Sequence, residues 1–381
     1  MPGVTAAAAG AVARWLAGQG ATVREPVEFE VLPGGRSNLT YLVRDADDQR
    51  WVLRRPPLAS LHSSAHDVLR EHRVIAALRP TAVPVPDPVG RCADPDLIGA
   101  PFFVMAYVPG TVLVDQATAE RTLDPAARAR AGAGVVDVLA DLHGVDPAAV
   151  GLADLGRRDD YVRRQLRGWG RQLDRLDEPD DATRNGATHD GALHDGAAGD
   201  GAAHDGAAHD GAGLGRSVRE LLREVRGRLS AAVPDCAESV IVHGDFRPGN
   251  VIVGADGTVR ALLDWELCTL GDPLADLGWL LAYWGSGTAV PLPLPVPTRA
   301  AGFPTRDAVL ARYANLTGRS VDDIDYYVAL ALWRLAIILS GVRARLRATG
   351  SGAAAAEQAD LAERIAILGE AAGAAIRAAG R

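Results

Sequence analysis

Between Val27 and Val43 apolar and polar positions alternate on either side of Pro33-Gly34-Gly35, the period-two pattern of strands joined by a tight turn. Arg50 to Arg54 adds a second short strand-like run, so the first part of the chain is predicted to be β-rich. From about Ser64 to Leu78 the spacing turns helical, with Val68, Ile75 and Leu78 as inward positions and Glu71 one turn before Ile75. The proline-studded stretch from Val83 to Pro88 ends that helix. Pro101 to Val108 is a continuous apolar run closed by Pro109-Gly110, which predicts a buried strand leading into a connector. Beyond it the pattern is mainly helical, and the long periodicity from Thr305 onward, including Val328 to Leu346, is predicted to complete a second core.

This order of elements predicts an α+β, bilobal chain, with a small β-rich N-lobe over residues 1–106 and a larger, mainly helical C-lobe over 107–381. Residues 185–213 interrupt the second lobe with a repeated five-residue unit such as Gly-Ala-Ala-His-Asp. So small and polar a segment cannot offset its ordering entropy by burial, and it reads as a disordered low-complexity insert. His189, His194, His204 and His209 each precede an aspartate there, so a metal-binding tract is the competing reading.

Composition narrows the classes. With 381 residues, 48% of them hydrophobic, the chain can bury a sizeable core. A net charge of −8 without any long basic block speaks against a nucleic-acid surface. Cys92, Cys236 and Cys268 are widely separated and form no Cys-x-x-Cys pair, which fits a reducing compartment without a zinc ribbon. The apolar run from Val4 to Ala13 has no basic region before it and is broken by Arg14-Trp15, so an amphipathic helix of a cytoplasmic protein is expected rather than a signal peptide or membrane span. Oligomeric state is left open.

The chemistry concentrates in Val240-Ile-Val-His-Gly-Asp-Phe-Arg-Pro-Gly-Asn-Val-Ile-Val253 and Val259-Arg-Ala-Leu-Leu-Asp-Trp-Glu266. Short apolar strands here flank or deliver Asp245, Asn250 and Asp264. Phosphoryl transfer from ATP to a hydroxyl needs one group to orient the acceptor and oxygen ligands to hold Mg²⁺ against the phosphates, and these are the residue types required. The interval from Asp245 to Asn250 equals that of the kinase catalytic loop, His-Arg-Asp-x-x-x-x-Asn. Upstream, Leu32 to Leu42 stands where a phosphate-covering hairpin is needed, and Gly34 and Gly35 let backbone N–H groups approach phosphate oxygens. A Gly-Gly turn occurs in proteins of every function, and its place in the order of elements is what assigns it. By the same order Arg54 or Arg55 supplies a cation, Glu71 the acid that fixes it, and Met105 to Tyr107 the connector whose backbone reads the adenine edge.

The His243-to-Asn250 segment resembles the Brenner-type motif of aminoglycoside and choline-type phosphotransferases, and Asp264-Trp265-Glu266 resembles that family's counterpart of the kinase Asp-Phe-Gly. The resemblance implies a protein-kinase-like fold and an ATP- and Mg²⁺-dependent kinase acting on a small-molecule hydroxyl. It implies that Asp245 is the catalytic base or hydroxyl-orienting residue, that Asn250 and Asp264 hold Mg²⁺, and that Arg247 faces the γ-phosphate. It further places the cation at Arg54, adds Ser37 and Asn38 to the nucleotide loop, gives His243 a supporting role, and makes Asp276 a helix cap or a brace for the loop. Leu53-Arg-Arg-Pro-Pro57, Gly99-Ala-Pro-Phe-Phe-Val-Met105 and Gly302-Phe-Pro-Thr-Arg306 resemble the subgroup related to the kinase-like domain attached to some acyl-CoA dehydrogenases. That subgroup implies a hydroxyl-bearing metabolite, a hydroxyacyl compound among the candidates, more than an aminoglycoside. A nucleotide-binding pseudokinase is the alternative, motivated by arginine where most protein kinases have lysine.

Overall fold

The computed structural model describes residues 6–32, 38–57, 67–176, 216–235, 238–285, 292–348 and 355–380. Strands β1 (Glu28–Val31), β2 (Leu39–Arg44), β3 (Arg50–Arg55), β4 (Pro88–Cys92) and β5 (Phe102–Ala106) form one antiparallel sheet in the order β1-β2-β3-β5-β4. Register pairs Tyr41 with Leu53 and Val43 with Trp51. Because side chains alternate along a strand, Tyr41, Val43, Trp51, Leu53, Phe102 and Val104 share one face, which packs on Val12 and Leu16 of α1 (Ala6–Gly18) as a small separate core. The opposite face carries Val52, Phe103 and Met105 into the main core, against α2 (Val68–Leu78).

The same alternation separates two neighbouring arginines. Arg55 turns toward the α1 side and donates to the Tyr41 hydroxyl at 3.1 Å, whereas Arg54 projects toward α2 and the second lobe. Helix α2 begins at Val68, capped by Asp67, whose carboxylate accepts from the Leu69 and Arg70 amides. The expected start near Ser64 lies outside the described residues, as does the whole repeat segment.

The second lobe holds α3 (Gln116–Thr122), α4 (Pro125–Gly144), α5 (Tyr161–Arg175), α6 (Arg216–Ala231), α7 (Pro273–Ala282), α8 (Arg306–Thr317), α9 (Ile324–Ala348) and α10 (Ala355–Ala378). Two small sheets sit among them. β6 (Thr111–Val112), β8 (Val251–Val253) and β9 (Val259–Leu262) form one, and β7 (Val240–Val242) pairs with β10 (Thr269–Gly271) in the other. Helix α9 is long and apolar enough to cross a membrane by composition alone, but 72% of its apolar window is buried inside the protein. It crosses α7 closely because Gly278 has no side chain: a Cβ there would lie 2.6 Å from the Tyr327 carbonyl carbon. The chain is thus α+β, with a small β-rich lobe followed by a larger helical one, as its pattern predicts.

Candidate active site

Buried strand β7 delivers the loop that begins at His243. Gly244 turns it with φ +84°, and a Cβ at this position would stand 2.7 Å from the Leu267 carbonyl oxygen, so only glycine fits between His243 and Asp245. Asp276 of α7 receives the backbone N–H groups of His243 at 2.5 Å and Gly244 at 2.9 Å. Burial by itself would push the Asp276 carboxyl up, but the hydrogen bond and charge of His143, with further help from His243 and the Gly244 amide, hold it below the usual carboxylate range. His143 in turn meets the Tyr313 hydroxyl at 2.7 Å. Asp276 is therefore the brace of the loop and not a helix cap. The cap of α7 is Asp272, which accepts from the Leu274 amide at 3.0 Å.

His243 is fully buried and tilted against the Trp265 ring at 4.8 Å. Its Nδ1 accepts from the Asp245 amide at 3.2 Å, so Nε2 carries the proton and donates to the Leu263 carbonyl at 2.9 Å. With both ring nitrogens engaged, it shapes the loop and has no lone pair left for a substrate.

Asp245 accepts three hydrogen bonds: from Trp279 Nε1 at 2.7 Å on Oδ1, and from Asn250 Nδ2 at 2.8 Å and Arg247 Nε at 3.2 Å on Oδ2. The Asn250 amide group also donates to the Asp245 carbonyl at 2.8 Å, which turns the Asn250 Oδ1 away from the loop. The Leu263 amide donates to the Asn250 carbonyl at 2.8 Å, setting Asn250 beside the strand end that carries Asp264. Asp264 holds a left-handed backbone, φ 68° and ψ 65°, a conformation that non-glycine residues avoid and that concentrates at functional sites. Its Oδ1 meets Arg54 Nη2 at 3.0 Å, while Arg54 Nη1 meets Glu71 Oε1 at 3.1 Å. One buried guanidinium thus bridges β3, α2 and the Asp264 turn.

These pairings shift the groups involved. Burial pulls the Arg54 guanidinium down, but Glu71 and Asp264 outweigh it and raise it above its ordinary value. Burial pushes the Glu71 carboxyl up to about 7 against the attraction of Arg54, with the negative charge of Asp264 adding to the rise. The arrangement joins all five of Asp245, Arg247, Asn250, Asp264 and Arg54 to one loop-and-strand cluster, with Glu71 behind it.

Other predicted residues fall differently. Gly34, Gly35 and Ser37 lie outside the described residues. Asn38 is buried and donates to Glu266 Oε2 at 3.3 Å, while its own Oδ1 has no partner. Met105 is a core residue of β5. The Ala106 amide donates to the Asp87 carbonyl and the Tyr107 amide to the Arg50 carbonyl, so two N–H groups of the predicted connector are engaged by the sheet. The sequence reading missed Arg70, which donates to the carbonyls of Leu155, Glu266 and Cys268 and so ties α2 to the segment after Asp264. It also missed Trp279, although its place three residues after Asp276 on one helix was a usable signal.

Among the described residues no three His, Cys, Asp or Glu side chains gather as a metal cluster. Asn250 Oδ1 and the Asp264 oxygen not facing Arg54 remain as a pair of hard donors. Two such donors suit a small divalent cation that takes its other ligands from phosphate oxygens and water.

The chain matches the model of the phosphotransferase enzyme family over residues 28–311. It is 31% identical over 354 residues to mouse acyl-CoA dehydrogenase family member 10, covering 90% of this chain and 29% of that protein. Against chicken acyl-CoA dehydrogenase family member 11 it is 30% identical, covering 82% of this chain and 36% of the relative. The chain thus spans about a third of the length of these relatives. Among solved structures it superposes on a Ralstonia eutropha protein provisionally assigned as an aminoglycoside phosphotransferase, with a TM-score of 0.72, 26% identity and coverage of 97% of this chain and 98% of the other. It shares the fold of an aminoglycoside phosphotransferase solved with AMP-PNP and hygromycin B, at a TM-score of 0.56, 13% identity and coverage of 95% and 98%. The loop, the family match and the bilobal protein-kinase-like fold agree, and the chain belongs to the phosphotransferase enzyme family.

Proposed function

We propose that this chain transfers the γ-phosphoryl group of ATP to a hydroxyl of a small metabolite. The observation that carries the reading is the joining of Asp245, Asn250 and Asp264 to one loop, with Arg54 fixed beside them by Glu71. In this reading Asp245 orients the acceptor hydroxyl and takes its proton as the oxygen attacks the γ-phosphorus in line and ADP departs. Asn250 and Asp264 hold Mg²⁺, which when bound draws charge from the phosphate oxygens. Arg54 faces the α- and β-phosphates, Arg247 the γ-phosphate, and the Gly34-Gly35 turn with Ser37 and Asn38 covers the nucleotide. The connector from Met105 to Tyr107 carries the adenine edge. Since the Tyr107 amide is already bonded, the Val108 amide, which meets no acceptor among the described residues, becomes the donor.

Charge around Tyr283 bears on the acceptor. Burial pushes the Tyr283 hydroxyl up, Asp245 adds to this, and Arg247, Arg334 and Arg364 all pull against it. Of these, Arg247 lies over the Tyr283 ring, 5.4 Å from its centroid, and in this reading that cation suits an acceptor that carries negative charge better than a polycationic aminoglycoside. A hydroxyacyl compound has that character, and the relatives that contain this family segment are named as acyl-CoA dehydrogenases. The buried thiols of Cys92 and Cys268 fit a reducing, cytoplasmic setting.

The test is a screen of hydroxylated metabolites with Mg²⁺-ATP, scoring acceptor-dependent ADP release against an Asp245→Asn control. Acidic hydroxy compounds and hydroxyacyl thioesters are expected to be turned over, and aminoglycosides to be poor acceptors. Preference for an aminoglycoside would overturn the acceptor class, and no acceptor-dependent release at all would favour a pseudokinase.

A further inference from the structure

Arg334 of α9 is buried, 6% exposed, and pairs with no carboxylate among the described residues. Its guanidinium lies over two indole rings instead, 4.5 Å from the Trp279 centroid and 5.3 Å from that of Trp169. Its Nη2 reaches the Gly244 carbonyl at 3.5 Å and its Nε is buried without a partner. A buried cation is costly to maintain unless something compensates it, and here the compensation comes from two ring faces. One of those rings, Trp279, donates its N–H to Asp245 Oδ1 at 2.7 Å.

Each carboxylate oxygen has two lone pairs. Oδ2 of Asp245 already receives both Asn250 and Arg247, while Oδ1 receives Trp279 alone. One acceptor position is left, and it is on Oδ1. A cation over an indole face withdraws π density from the ring, which strengthens the N–H as a donor.

We infer that Trp279, polarised by Arg334, is the positioning residue that sets the rotation of the Asp245 carboxylate and reserves one lone pair of Oδ1 for the acceptor hydroxyl. The inference rests on the proposed kinase role of Asp245 and adds a specific oxygen and the two residues that fix it. Trp279 acts through Asp245 and does not itself touch the reacting atoms. Without it the carboxylate keeps its Oδ2 contacts but can rotate about them, and misplacement of a reacting group by about 1 Å costs roughly a hundredfold in rate.

Two measurements on the full chain test this. In ¹H–¹⁵N spectra of the protein alone, the Trp279 indole signal, assigned with Trp279→Phe, is expected well downfield, and to move upfield in Asp245→Ala and in Arg334→Met. An indole signal that ignores both substitutions overturns the inference, whatever the enzyme's acceptor. In turnover with the best acceptor from the screen, Trp279→Phe is expected to lower kcat roughly a hundredfold, with KM for ATP nearly unchanged. In an Asp245→Asn background it is expected to add no further loss, because the two residues act as a unit. Arg334→Met is expected to lose roughly tenfold, and Arg334→Lys to restore part of it by returning the charge. Equal losses from Trp279→Phe in both backgrounds would mean a general packing role and would contradict the inference. If Asp245→Asn itself turns over normally, the underlying kinase reading fails; if it is inactive while Trp279→Phe works like wild type, only the positioning role fails.

Discussion

Arg54 faces two carboxylates at once, and that imbalance has a measurable consequence at the scale of single residues. Asp264 and Glu71 share its charge, and Glu71 is the more deeply buried, so its carboxyl is pushed from 4.5 up to about 7. An acid that titrates higher in the folded than in the unfolded chain binds more protons when folded. Its contribution to stability is therefore full below about 4.5 and is lost as pH rises through about 7. Glu71→Gln removes that titration. The melting temperature of wild type minus that of the variant is expected to fall as pH is raised across this window, and two parallel curves would contradict the assignment. Asp276, held low by its partners, acts in the opposite sense: its contribution is present above its unfolded value and lost as pH falls below it. The residues of this cluster differ in how far the sequence reveals them. Asp245, Asn250 and Asp264 are legible because chemistry fixes their types and loop geometry fixes the Asp–Asn interval. The choice of Arg54 over Arg55 follows from strand alternation once the register is known, since Arg55 is turned to Tyr41. Arg334 was not legible, because its partners are ring faces on α5 and α7 that no local spacing connects.

At the scale of elements, α7 does two things: Asp276 on it braces the loop backbone, and Trp279 holds the Asp245 side chain. Its position depends on the close crossing with α9 that Gly278 permits. Gly278→Val would drive a branched side chain into the Tyr327 backbone, which cannot yield as a side-chain tip could. The expected cost is about 1–3 kcal/mol of stability, read as a lower denaturant midpoint, together with a loss of turnover from the displaced Trp279. An unchanged midpoint would show that the helices can separate without penalty. Strand β2 is legible in the sequence from its alternation, β3 and β5 from short apolar runs, the latter closed by Pro109-Gly110, and helix α9 from its long helical period. The anchoring of α2 by Arg70 was not, because its three acceptors are backbone carbonyls of distant segments and leave no mark on side-chain chemistry. The sequence left Asp276 as either a cap of α7 or a brace for the loop, because two aspartates lie near the same helix start; the Leu274 amide gives the cap to Asp272, and the amides of His243 and Gly244 make Asp276 the brace.

At the scale of the whole molecule, the segment 177–215 carries nine acidic side chains against one arginine, which equals the chain's entire net charge of −8. Asp245, Asn250, Asp264, Arg54 and Glu71 all lie outside this segment of the sequence. Excising Thr188 to Asp210 removes five aspartates and all four repeat histidines. Phosphoryl transfer is expected to continue at the wild-type rate, while solubility falls as the chain approaches neutrality. Loss of transfer on excision would instead support the metal-binding reading of the repeats. The Arg54–Asp264 ion pair is one of the contacts joining the two lobes, so under the proposed function nucleotide binding and lobe geometry would be coupled at that pair.

The central claim, phosphoryl transfer directed by Asp245, is tested most directly by single-turnover transfer from γ-labelled ATP to the best acceptor, measured beside ATP affinity, in wild type and Asp245→Asn. The account predicts a labelled phosphate ester from the wild type, loss of transfer by roughly a thousandfold or more in the variant, and an ATP Kd within a few-fold of wild type. Equal transfer by both proteins would contradict it.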